Sequence, residues 1–396
     1  MPSRSDRMAL LGTETAFEVL AEVNKLKAQG RDIVSFAIGE PDFDTPANIK
    51  EAGRRAIAEN QTHYTPSAGV AQLRETIANY VANTRKISVD PDEVVVTPGA
   101  KPIIFHGILA TVNPGDEVIY PNPGFPIYES VIRFVGAKPV PIALREEKGF
   151  SFDVDELRGK VGPKTKLIII NSPGNPTGGS LSPADLEAVA EMALRYDCWV
   201  LADEIYSRIV FDDVFHSITA IPDMKDRTII LDGLSKTYAM TGWRIGYGVM
   251  PKFLAADMAR LETNCESCTA TFTQMAAIEA LSGPQDATAA MVAEFKARRQ
   301  LVVDGLNAID GISCCMPRGA FYVFPNVTQA CRKLGLANSK ELQRKLLYDG
   351  NVAVLPRTSF GSRNEGETEE YVRLSYATSR AGILEGLRRI KAVVEG

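Results

Sequence analysis

Five short runs rich in apolar and β-branched residues recur through the middle of the chain: EVVVT (93–97), DEVIY (116–120), KLIII (166–170), CWVLA (198–202) and RTIILD (227–232). Such near-continuous apolar runs read as strands of a parallel sheet covered on both faces. Between them, segments such as PADLEAVAEMALRYD (183–197) carry apolar residues at helical spacing. Ser182 stands before Pro183, a good cap followed by a good first helical residue. The alternation predicts an α/β fold with a central, mainly parallel sheet.

The ends of the chain read differently. Residues 291–310 predict a long amphipathic helix, and GAFYVF (319–324), NVAVLP (351–356) and YVRLSYA (371–377) predict strands before a closing helix near 380–394. A helix around 15–29 and a strand at DIVSFAI (32–38) are expected to join them. The expected organisation is an arm and part of a small α+β domain at 1–45, a large domain at 46–290 and the rest of the small domain at 291–396.

A chain of 396 residues, 45% hydrophobic and 23% charged, suits a globular enzyme. Its 44 basic and 49 acidic residues nearly balance, which argues against nucleic acid as a partner. No apolar run approaches the roughly 20 residues of a membrane span. The first residues, MPSRSDRMALLGTETA, hold too short an apolar segment for a secretory signal, so a cytoplasmic location is expected. Cys265 and Cys268 form a C-E-S-C, but no second pair matches it. Neither a zinc site nor disulfides are therefore expected.

In open α/β sheets ligands collect at the carboxyl ends of strands. After EVVVT comes PGAKP (98–102), where Pro102 opens a helix and leaves the amides of Gly99, Ala100 and Lys101 free for an anion. After KLIII comes NSPGNPTGG (171–179), after CWVLA comes DEIYSRIV (203–210), and after RTIILD comes GLSKTYAMTGWRIGYG (233–248). One helix start, an Asn, an Asp, a Tyr, a Lys and an Arg thus converge on one rim. Together they supply what a phosphorylated pyridine aldehyde requires: a lysine for the imine, an acid for the ring nitrogen, donors for the ring hydroxyl and a phosphate cradle.

On these residues the chain resembles the aspartate aminotransferase branch of the fold type I pyridoxal 5′-phosphate (PLP) enzymes. The resemblance runs through GEPDFDTP (39–46), YTPSAG (64–69), NSPGNPTGG, DEIY, LSKTYAMTGWRIGY, GAFYVF and VRLSYATS (372–379). It implies Lys236 as the Schiff-base lysine, Asp203 as the partner of the pyridinium nitrogen, and Tyr206 and Asn175 as donors to the ring hydroxyl. It implies Arg244, Ser235 and the Gly99–Lys101 turn around the phosphate, and Phe125 against the ring where relatives carry tryptophan. It further implies Gly39, Asn175 and Arg373 at the substrate, Arg373 holding the α-carboxylate. Tyr64 would reach the phosphate of a neighbouring subunit, which implies a homodimer. Asn122-Pro123 and Asn175-Pro176 match cis bonds of the family. One departure is Gly233, where the family often has serine.

The implied reaction is reversible transfer of an α-amino group from an L-amino acid to a 2-oxo acid by a ping-pong route. The donor stays open between aspartate and broad or aromatic amino acids. Segment 261–275 has no arginine for a distal carboxylate, and Lys101 reads equally as a distal-carboxylate contact or as a phosphate-turn residue. A β-eliminating C–S lyase on the same scaffold is the alternative reaction. A PLP-binding regulator is a remote one, since Gly39 already lies in the motif and no helix-turn-helix segment precedes it.

Overall fold

The computed structural model describes residues 2–396. Its strands, in chain order, are β1 (Val34–Ser35), β2 (Val94–Thr97), β3 (Glu117–Asn122), β4 (Lys138–Arg145) and β5 (Ser151–Phe152). They continue with β6 (Thr165–Asn171), β7 (Trp199–Asp203), β8 (Thr228–Gly233) and β9 (Gly246–Val249). The last four are β10 (Tyr322–Val323), β11 (Val352–Ala353), β12 (Leu355–Pro356) and β13 (Val372–Ser375).

An eight-stranded sheet runs in the order β2-β9-β8-β7-β6-β3-β4-β5. Strands β8, β7, β6, β3 and β4 pair in parallel, and β9 runs against both β8 and β2. The five predicted strands are all present, but β2 bonds only to the antiparallel β9 rather than to a parallel neighbour. Alternate residues explain the continuous apolar runs. Leu167, Ile169 and Leu201 pack into one core with Ile103, Ile108 and Leu254, while Ile168, Ile170 and Val200 pack into a second with Leu186 and Val189.

Two strands escape the apolar pattern. KPVPIALR forms β4 despite Pro139 and Pro141, because residues 138–143 pair with β3 alone and leave one side as sheet edge. GYGV forms β9, where glycine rather than an apolar side chain satisfies the local crowding described below.

Helix Pro183–Tyr196 begins as its sequence implies. Ser182 Oγ accepts from Asp185 N at 3.2 Å and Asp185 Oδ2 accepts from Ser182 N at 2.8 Å, a reciprocal capping box. Toward the ends of the chain, β1 pairs in parallel with β11, and β13 lies between β10 and β12. The predicted strand 351–356 is split into β11 and β12, which serve different sheets. The predicted helix at 291–310 is longer at its start, Asp286–Asn307. All six cysteines are free, and no helix among the described residues is long and apolar enough to cross a membrane.

Candidate active site

The same-direction strands β2, β3, β6, β7 and β8 end at Thr97, Asn122, Asn171, Asp203 and Gly233, which brings five strand ends to one rim. Because β9 runs the other way, its first residue, Gly246, lies opposite both Thr97 and Gly233. Arg244, two residues earlier, therefore reaches the same rim as Lys236. Between this rim and the C-terminal elements lies a cavity of about 480 Å³, a size that suits a small-molecule ligand. Ala100, Lys101, Phe125, Asn175, Asp203 and Tyr206 line it, as do Ser235, Lys236, Arg244, Gly39 and Arg373. Two anticipated residues are not in its lining: Gly99, which borders it through Ala100 and the Arg244 guanidinium, and Tyr64, which is 90% exposed and stands away from the cavity.

Gly99 holds φ at +86°, and a Cβ there would overlap the Arg244 guanidinium. The guanidinium thus lies directly against this turn, an approach only glycine permits. Helix Lys101–Thr111 follows, with no side chain capping its first amides. An uncapped helix start beside a guanidinium is an anion-binding arrangement. Gly233 is explained by crowding too: a Cβ on it would stand 3.1 Å from Gly246 Cα and 3.2 Å from Ile205 Cδ1. Ser235 is buried and borders the cavity.

Lys236 sits on the short helix Leu234–Thr237, and its Nζ donates to Gly39 O at 2.6 Å. Burial brings the ammonium down to about 8, with Arg373 and Arg244 pushing the same way and Glu40 opposing. Asp203 accepts from the Tyr128 hydroxyl at 2.5 Å and from Ile205 N at 3.2 Å. Burial nonetheless raises its carboxyl to about 6. The Tyr206 and Tyr322 hydroxyls lie 2.8 Å apart.

Arg373, on β13, is buried between the rings of Tyr322 and Phe360, at 4.6 and 5.0 Å. It donates to Asn175 Oδ1 at 3.1 Å and to Ala37 O, and its Nε has no partner. Among the described residues no acid pairs with Arg373, Arg244 or Lys236, and no base pairs with Asp203. Arg373 and Asp203 are buried without a charged partner and Arg244 stands exposed at the cavity edge, which fits a ligand of mixed charge: anionic groups at the two arginines and a cationic atom at Asp203.

Lys101 contributes its backbone to the uncapped turn, whereas its ammonium pairs with Glu14 and lies 5.6 Å from the Phe125 ring centroid. Asn122-Pro123 and Asn175-Pro176 are cis as the resemblance implied, and Ser172-Pro173 is cis as well. Sequence reasoning missed Glu14, Tyr128, Tyr322 and Phe360. Tyr322 lay inside the quoted GAFYVF and Tyr128 just after NPGFP, but Glu14 carries no local signal, since only the folded arm brings it to the cavity.

The family model for aminotransferase class I and II matches residues 31–390. A probable aspartate/prephenate aminotransferase of Aquifex aeolicus is 39% identical over 395 residues, covering 99% of this chain and 98% of its own. The solved aspartate aminotransferase of Rhizobium meliloti superposes with a TM-score of 0.93 at 35% identity, covering 100% of this chain and 99% of that one. An aromatic aminotransferase structure from Pyrococcus horikoshii gives 0.87 at 38% identity, covering 94% and 98%. A rim that gathers a half-buried lysine, two acid-free arginines and a base-free aspartate, on a fold shared almost end to end with these enzymes, makes this chain a member of the class I and II aminotransferases.

Proposed function

We propose that this chain transfers the α-amino group of an L-amino acid to a 2-oxo acid with pyridoxal 5′-phosphate, in a ping-pong cycle. The observation that carries the reading is the set of unanswered charges: Arg244 at an uncapped helix start, Asp203 in the cavity wall, and Arg373 across from both. A phosphate, a pyridinium and a substrate carboxylate would answer them in turn. The cofactor, when bound, supplies an aldehyde for amines and a ring that accepts electrons from the substrate Cα.

The chain's own residues do the rest. Arg244, Ser235 and the Gly99–Lys101 amides would hold the phosphate. Asp203, drawn back to its charged form by a ring cation, would keep the ring nitrogen protonated. Asn175 and Tyr206 would face the ring hydroxyl, and Phe125 the ring face. Arg373 would fix the α-carboxylate plane and so aim the Cα–H bond, with Gly39 beside it. Lys236 would move that proton through Nζ, a task suited to an amine whose charge burial has already weakened. The exposure of Tyr64 supports a homodimer in which it reaches the partner's phosphate. The pairing of β1 with β11 supports the division of the chain near 46 and 290. Relatives named for aspartate, prephenate and aromatic substrates support an aspartate or aromatic donor.

The test is direct. PLP-loaded protein given L-aspartate or L-phenylalanine with 2-oxoglutarate should release the matching 2-oxo acid and glutamate. Borohydride should then fix the cofactor to Lys236. A label on another residue would reject the site. Ammonia and pyruvate from a cysteine conjugate, with no acceptor present, would favour the lyase.

A further inference from the structure

A second polar cluster lies apart from the cavity, where helix Lys101–Thr111 meets helix Lys252–Cys265. His106 is 2% exposed and Glu262 is wholly buried. His106 Nδ1 stands 3.4 Å from Glu262 Oε1, yet neither that nitrogen nor either Glu262 oxygen has a hydrogen-bond partner. Among the described residues no lysine or arginine pairs with Glu262 or with Glu266, one helical turn on. A buried carboxylate left so is costly, and a second acid on the same face adds repulsion. Next to this pair, His106, Cys265 and Glu266 each offer a ligand atom, all within 4.8 Å of one another.

We propose that His106, Cys265 and Glu266 form a divalent-cation site whose ion is Zn²⁺, with Glu262 beside the His106 ring as the carboxylate that orients it. A divalent ion would answer the Glu266 carboxylate, take the ring nitrogen and the sulfur, and leave the imidazole to face Glu262. Imidazole, thiolate and carboxylate together are zinc donors, while magnesium and calcium prefer oxygen alone. Zinc bonds of about 2.0–2.3 Å set neighbouring donors roughly 3.3–3.8 Å apart. Cys265 and Glu266 close the remaining distance, since both are exposed side chains at a helix end and are free to rotate. On binding, the Cys265 thiol gives its proton to solvent. Cys268 completes the C-E-S-C in sequence but stands outside the group. The spacing rule weighs only cysteine pairs close in sequence and takes no account of a histidine on a distant helix. The ion would tie the helix carrying the anion-binding turn to the helix that follows β9.

The test uses PLP-loaded protein, stripped with chelator, gel-filtered and titrated with Co²⁺. Expected are about one Co²⁺ per chain, a near-ultraviolet thiolate-to-metal absorption, and its bleaching by Zn²⁺. C265S should lose the absorption and C268S should keep it. E262Q should weaken Zn²⁺ binding at least about tenfold. Cys265 is exposed, so C265S is expected to fold and turn over normally. If E262Q does not fold, the two cysteine variants decide the matter. No thiolate absorption, or an absorption that survives C265S or vanishes in C268S, would overturn the site.

Discussion

The Tyr128 hydroxyl and the Ile205 amide donate to separate oxygens of Asp203, at 2.5 and 3.2 Å. Both donors favour the charged carboxylate, against a burial that raises it to about 6. Tyr128→Phe removes one of them. A hydrogen bond to a charged group contributes about 1.5–3 kcal/mol, so PLP should dissociate roughly tenfold more readily or worse. Equilibrium dialysis measures this, and an unchanged dissociation constant would separate Tyr128 from the site.

Lys236 holds its proton less tightly in the fold than in the open chain. Between about 8 and the ordinary lysine value of 10.5 the unfolded chain carries the extra proton, so the stability of cofactor-free protein should rise with pH across that window. Below about 8 both states are charged and the contribution is flat. Urea melts of cofactor-free wild type and Lys236→Met at several pH values check the sign; identical profiles would refute it.

Arg373 faces the cavity with a fork that a lysine does not reproduce. Arg373→Lys should lower kcat/KM for amino and 2-oxo acids by about a hundredfold, near 3 kcal/mol of transition-state binding. The cofactor spectrum should stay as in wild type. Steady-state kinetics with an unaltered kcat/KM would remove the residue from substrate binding.

Glu14 already neutralises Lys101 at the cavity mouth. Glu14→Gln frees the ammonium for a distal carboxylate, so the ratio of kcat/KM for aspartate over phenylalanine should rise. The pair is half-exposed on the lysine side, so a change of a few-fold is expected, within about 1 kcal/mol. Lys101→Ala should move the ratio the other way. An equal loss for both substrates would assign Lys101 to the phosphate turn.

Arg85 is buried beneath the rim, with Nε 2.9 Å from Glu204 and Nη2 2.6 Å from Asp232. Removing the cation leaves two acids buried together. Arg85→Met should cost about 3–5 kcal/mol of stability, read as a lower denaturation midpoint. A loss under 1 kcal/mol would mean that the acids are paired otherwise.

The parallel strands were legible because a strand buried on both faces must be apolar at every residue. Lys236 and Asp203 were legible for a related reason: each follows closely on a run read as a strand, so naming the strand placed the residue on the rim, whereas Arg244 was read only as part of the long stretch after RTIILD. β4 and β9 were not, since prolines and glycines hide a strand whose partners supply the constraint. Tyr128 and Glu14 were invisible as site residues because their roles arise from distant chain segments.

Strands β8 and β9 are hydrogen-bonded neighbours, so the segment 234–245 is a closed bridge with both feet nailed to the sheet. Lys236 and Arg244 ride on that one bridge and cannot drift apart. Any lengthening of it would misplace both at once, whereas the N-terminal arm bearing Glu14 is a separate piece of chain. Descendants of this protein are thus free to remodel the cavity mouth through the arm while inheriting the spacing of Lys236 and Arg244 unaltered.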